Sequence, residues 1–192
     1  VKKWSNNLTV QQLDHYFIQA MKYCSHSTSV KKMFFKFYAE QYPYEGNTEP
    51  IRLKKKYEKL ESVVQTALSL PPNTVELYRY LIAYFTTLAS NKDLANLPVK
   101  QEQNTNVDSS DDEDDTMTFD TTKAIDRILF KLYSRAITDH GREEEDFWLH
   151  YIVMMKRQKN FQKAQNLHHQ ATKTLKDSAA VQRFLEKFDL VK

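Results

Sequence analysis

Leu132, Tyr133 and Ala136 of "ILFKLYSRAI" recur 35 residues later as Leu167, His168 and Ala171 of "AQNLHHQATK". Val63, Val64 and Ala67 stand 69 residues before the first set, close to two such periods. The segments that precede these match as well: Tyr78, Leu81 and Phe85 lie 70 residues before Trp148, Tyr151 and Met155. Apolar side chains that return at this spacing mark a repeated supersecondary unit, which buries its apolar face only by stacking on its neighbours. The repeat predicts an all-α fold, a right-handed α-solenoid of antiparallel helix pairs with about three to four repeats.

Glycine scarcity agrees with this. Only Gly46 and Gly141 occur in 192 residues. Sharp turns and phosphate-cradling loops depend on glycine because it alone reaches positive φ without strain. Gly-rich nucleotide-binding loops are therefore excluded, and helices joined by short polar connections are favoured. Helical spacing of apolar residues predicts helices over 8–25 (capped by Thr9), over 27–42 (Val30, Phe34, Phe37 and Tyr38 on one side, stopping before Pro43) and from 51 to the Pro71–Pro72 pair. The third carries the stripe Leu53, Tyr57, Leu60, Val63, Val64, Ala67 and Leu68. Asn73 or Thr74 caps a fourth helix over 75–90, with Glu76 in its first turn. Further helices are predicted at 121–140, with Gly141 as a C-terminal stop, then at 143–157, 160–175 and 178–188, the last capped by Asp177 or Ser178. No segment alternates like a strand.

Between them, residues 91–120 hold "VKQEQNTNVDSSDDEDDTMTFD", poor in apolar residues and dense in carboxylates. Like charges this close repel, and little surface is available to offset the entropy of ordering, so a flexible acidic insertion is expected. The organisation read from the chain is thus helical repeats over 1–90, the insertion over 91–120, and repeats with a capping helix over 121–192, in one continuous array.

The pattern W-x-x-Y in a first helix, followed by A-x-x-[I/L]-[Y/F]-x-R-A in a second, resembles the half-a-tetratricopeptide (HAT) repeat. Trp148 and Tyr151 carry the first part, and "LYSRA", with Leu132, Tyr133, Arg135 and Ala136, the second. "AQNLHHQA" keeps Ala164, Leu167 and Ala171 but has Gln170 in the arginine place, and Met155 stands where the first-helix glutamate is usual. Within the family, the last 70 or so residues are similar to the C-terminal part of the U3 small nucleolar RNA-associated HAT proteins. That resemblance implies a nucleolar, nuclear scaffold of the small-subunit processome (the U3 snoRNP), supporting pre-rRNA processing and small ribosomal subunit biogenesis. It implies partners inside a large ribonucleoprotein assembly, processome subunits and WD40 propeller proteins among them. HAT scaffolds also serve pre-mRNA splicing and 3′-end processing, which is the alternative setting. The chain opens on Val1 rather than Met, and a piece of a longer protein is expected.

The repeat gives "FWLHY" (147–151) a packing role, with Tyr78, Leu81, Leu132, Tyr133, Ala136, Trp148, Tyr151, Leu167 and Ala171 as the repeat-packing set. The competing reading, base stacking, needs rings exposed beside cations. Lys31 and Lys32, Lys54, Lys55 and Lys56, and Lys156, Arg157 and Lys159 form the basic stretches, candidates for RNA or acidic-partner contact. The net charge of +3 conceals a split, because 101–126 contains nine acidic residues and one basic, and the remainder carries 27 basic against 16 acidic. Ser109 and Ser110 precede an acidic run and suit an acidophilic kinase of the casein kinase type. The carboxylates of "REEED" (142–146) complement the positive end of a helix. His168 and His169 point about 100° apart in a helix, and Cys24 with His26 is equally poor as a ligand pair, so no metal is expected. No nucleophile–base order stands out. The expectation is a protein that is not an enzyme, with no catalytic residue, no cofactor and no small-molecule substrate. The lone Cys24 and the absence of an apolar run of about 18 residues point to a reducing compartment and to no membrane partner.

Overall fold

The computed structural model describes residues 9–41, 49–90 and 119–190. Eight α-helices lie within them, with no strand among the described residues. They are α1 (Val10–Tyr23), α2 (Thr28–Lys36), α3 (Glu49–Ser69), α4 (Val75–Ser90), α5 (Thr121–His140), α6 (Glu145–Arg157), α7 (Phe161–Thr174) and α8 (Ser178–Leu190). The acidic run and the candidate phosphorylation residues Ser109 and Ser110 fall outside the described residues.

Local chemistry fixes the helix starts. Thr9 and Gln12 form a reciprocal capping box at α1, the Thr9 hydroxyl accepting from Gln12 N–H at 3.3 Å and the Gln12 side chain accepting from Thr9 N–H at 2.8 Å. Ser27 caps α2. Thr74, not Asn73, caps α4 by accepting from Leu77 N–H at 3.2 Å. Asp120, Asn160 and Asp177 do the same for α5, α7 and α8, at 3.0, 3.1 and 2.8 Å. Each cap satisfies one N–H that the helix cannot pair internally.

The second helix differs from its sequence pattern. After Lys36 the backbone widens into a π turn, Phe37–Gln41. A π turn inserts an extra residue and so rotates the side chains beyond it around the axis. Phe34 and Phe35, before the turn, and Phe37, Tyr38 and Ala39, within it, are all buried, where a single helical stripe would hide only some of them.

The chain divides into two compact units, Val1–Pro72 with Tyr84–Asp126, and Asn73–Ala83 with Arg127–Lys192. In the first, the core is aromatic. Phe17 of α1 meets Phe34 and Phe37 at 5.7 and 5.2 Å between ring centres, and Phe35 packs edge-on against Tyr84 and Phe85 at 5.0 and 5.7 Å. Tyr57, Leu60, Val63, Val64 and Ala67 supply the buried face of α3. Burial pushes the Tyr57 hydroxyl up to about 12, with a smaller contribution from Tyr84.

In the second unit α6 is the hub. Phe147, Trp148, Leu149, Tyr151, Ile152, Met154 and Met155 are all buried. A helix that is apolar nearly all round is one enclosed by neighbours, and here these are α5, α7, α8 and the start of α4. Tyr78 meets Phe147 edge-on at 6.1 Å. Tyr133 of α5 stacks on Tyr151 at 5.5 Å with ring planes 11° apart. No helix of the described residues is long and apolar enough to cross a membrane.

Candidate functional site

The nine repeat-packing residues are all buried: Tyr78, Leu81, Leu132, Tyr133, Ala136, Trp148, Tyr151, Leu167 and Ala171. They belong to the apolar interior of the second unit, from α4 to α7, and Leu167 and Ala171 lie on the face of α7 that α6 covers. Trp148 is 4% exposed, and its indole N–H donates to the Gly141 carbonyl at 2.7 Å. Both its ring and its one polar atom are therefore used internally, and no face of it is open to a base. Tyr151 and Ser134 share a hydrogen bond of 2.9 Å, and burial raises the Tyr151 hydroxyl against the opposing effect of Ser134. Tyr78 donates to Asp139 at 2.5 Å, and Arg135 contacts the same carboxylate at 3.2 Å. Burial, then the neighbouring Asp139 carboxylate, holds the Tyr78 hydroxyl well above its ordinary range. The "LYSRA" arginine thus balances a carboxylate that also anchors a tyrosine of α4.

Gly141 ends α5, but not in the left-handed conformation that a glycine at this place usually adopts. Its requirement is space, because a Cβ there would lie 2.2 Å from the Ile137 carbonyl oxygen. The left-handed residue is Lys159, at φ 58°. It closes α6 in a Schellman arrangement, with Asn160 N–H donating to Met155 O and Lys159 N–H to Lys156 O, both at 2.9 Å.

The basic stretches separate by environment. Lys31 is not a surface cation: it is 1% exposed, and its ammonium donates to the Pro72 carbonyl at 3.0 Å and to the Leu70 carbonyl. Those carbonyls lie in the turn after α3, outside its helical ladder, and a lysine on the buried side of α2 reaches them. Burial lowers its pKa. It has no access to RNA or to an acidic partner. Lys54 and Lys55 are exposed on α3, and Lys32 and Lys56 are half-buried. Lys156 is half-buried with its ammonium 4.6 Å from the centre of the Phe188 ring, while Arg157 and Lys159 are exposed.

The "REEED" carboxylates do more than complement a helix end. Glu145 and Asp146 open α6 and pair with α8, Glu145 with Arg183 at 3.1 Å and with Lys187 at 3.3 Å, Asp146 with Lys187 at 2.7 Å. Burial alone would raise the Glu145 carboxyl; hydrogen bonds from Arg183, from backbone N–H and from Lys187 outweigh it and hold the group below the usual range. Glu144 pairs with Arg79 at 2.7 Å. Nothing in local sequence connects residues about forty apart, so this cluster is invisible to pattern reading.

His168 is half-buried between Phe184 and Phe188, at 5.4 and 4.5 Å. His169 is exposed, as is His26, and Cys24 is half-buried. Among the described residues no group of three or more His, Cys, Asp or Glu side chains could hold a metal ion. A pocket beside α1 is lined by Thr9, Gln12, His15 and Tyr16, a set without a carboxylate or a thiol. No family model, curated protein or solved structure matches the chain.

Proposed function

We propose that the chain is a non-catalytic scaffold whose helix pairs continue as a right-handed HAT-like solenoid. Its setting is the small-subunit processome of the nucleolus, where it supports pre-rRNA processing as part of the U3 ribonucleoprotein. The proposal rests on the resemblance of "LYSRA", "FWLHY" and "AQNLHHQA" to HAT repeats, and within them to the C-terminal part of U3 small nucleolar RNA-associated protein 6. The observation that supports it is the packing of a second-helix motif on the first-helix motif of the repeat that follows it: Tyr133 of "LYSRA" stacks on Tyr151 of "FWLHY" at 5.5 Å. A repeat motif needs its helices paired in this way, because each buries its apolar face on the next. The surfaces left for partners are the grooves between successive pairs and the exposed basic edges, which suit proteins and RNA of a ribonucleoprotein assembly.

Affinity purification of the tagged chain from nuclear extract tests this reading. Ribosome-biogenesis proteins, WD40 propeller subunits among them, and U3 RNA are the expected co-purifying set. Recovery of splicing or 3′-end cleavage factors in their place would overturn the processome assignment.

A further inference from the structure

Helix α3 opens on a cluster of cations. From Ile51 to Leu60 the chain has five basic side chains and one carboxylate, Glu58. Two of the five are engaged: Arg52 pairs with Glu49, and Lys59 with Asp14 at 3.4 Å. Lys54 and Lys55 are exposed and Lys56 is half-buried. Among the described residues none of these three forms an ion pair, with Glu58 or with any other carboxylate. The positive end of the α3 dipole lies at the same end of the helix, so the backbone offers these cations no compensation.

The most acidic stretch of the sequence leads directly into a residue packed on α3. Residues 108–115 hold six carboxylates and no cation. Four residues after Asp115, Phe119 stacks on Tyr57 of α3, with ring centres 6.0 Å apart and planes at 26°. Tyr57 follows Lys56 directly, and Lys54 stands three positions before it, one turn away on the same side of the helix. Four extended residues span at most about 14 Å, so the contact at Tyr57 keeps Asp115 within that distance of the Phe119 backbone. Asp120 then caps α5 at 3.0 Å, which fixes the chain on the other side of the contact. Tyr57 and Phe119 belong to the same compact unit.

We propose that the carboxylates of residues 108–115 dock on the Lys54–Lys56 face of α3, so that the chain fills its own basic edge. Two arguments favour this segment over an external polyanion. Its charge is opposite and sufficient, six carboxylates for three lysines. A tether of a few residues also holds it at an effective concentration on the order of millimolar, against which a free ligand of equal affinity competes poorly. Each contact is an exposed ion pair, so the docking depends on several acting together and is screened by salt. A nucleic acid or an acidic protein reaches this edge only by displacing the segment. The inference does not rest on the processome reading, because it concerns two parts of one chain.

Carbodiimide coupling of the full chain, read by peptide mass spectrometry, tests this, because it joins a carboxylate to an amine only where the two touch. Links from Lys54, Lys55 or Lys56 to the 108–115 peptide are expected, in a yield independent of protein concentration. The Asp146–Lys187 pair, held at 2.7 Å by the fold, is the internal standard. Relative to it, the α3 links should fall severalfold between about 0.1 and about 1 M salt, as the Debye length shortens from about 10 to about 3 Å. An oligouridylate of about 15 nucleotides at about 10 μM should leave them unchanged, being far below the effective concentration of the tethered segment. The proposal is overturned by absence of the α3 links, or by links spread evenly over the exposed Lys173 and Lys176 as well. A yield that salt leaves unchanged would report the tether alone and overturn it too. So would a yield that rises with protein concentration, which would place the acidic segment on a second copy, and so would loss of the links to the oligouridylate, which would assign the face to nucleic acid.

Discussion

Gly141→Ala sets two effects of opposite sign against each other. Reducing the freedom of the unfolded chain favours the alanine by about 0.4–1 kcal/mol where the folded backbone tolerates it. Here it does not, because the new Cβ would sit 2.2 Å from the Ile137 carbonyl oxygen and 3.0 Å from the Ile137 carbonyl carbon and Cα, all backbone atoms. The end of α5 must open. That movement weakens the bond from Gly141 N–H to Ile137 O, now 2.9 Å, at a cost of about 1 kcal/mol. It also draws the Gly141 carbonyl away from the buried indole N–H of Trp148, now 2.7 Å away, and a buried donor left unpaired costs about 1–3 kcal/mol. The net expectation is destabilisation by about 1–3.5 kcal/mol. Urea unfolding followed by circular dichroism measures it, with an unchanged slope identifying a folded-state effect. The emission of Trp148 should shift to the red in the folded variant. A variant as stable as the parent, or more stable, would refute the steric reasoning.

Two further substitutions probe other joints of the second unit. Lys159 holds φ 58° at the end of α6, a conformation that costs an ordinary residue about 1 kcal/mol and glycine almost nothing; Lys159→Gly should therefore raise stability by about 0.5–1 kcal/mol in urea unfolding. Glu145→Gln should destabilise the protein at neutral pH, and the difference should shrink as the solution is acidified below the ordinary carboxyl range. The folded carboxyl is held below its ordinary value of 4.5, so its contribution is present above that pH and is lost as pH falls through the lower folded value. Thermal melting of both proteins across pH checks this, and a difference that persists at acid pH would remove the ion-pair explanation.

The all-helical class and the approximate helix bounds were legible in the sequence, because apolar spacing, cap residues and prolines are local signals. Thr9, Thr74 and Asp177 act where those signals put them. The burial of both Phe34 and Phe35 was not legible. An apolar stripe assumes one covered face, whereas this segment meets partners on two and then enters a π turn. Lys31 escaped for a related reason, since a lysine in a basic run reads as solvated unless carbonyls without helical partners converge on it. The interior placement of Trp148 and Tyr151 followed from their spacing. Pairing between the start of α6 and the end of α8 depends on tertiary proximity, which no short window contains.

The reading of this chain as a repeat scaffold depends on its aromatic signature being internal packing. Trp148 tests that directly, because the chain has two tryptophans and Trp4→Phe leaves it as the single indole. With 4% of its surface exposed, Trp148 should emit to the blue of free tryptophan and resist quenching by iodide until urea unfolds the protein. Solvent-like emission in the folded protein, with quenching equal to that of the unfolded chain, would contradict the account.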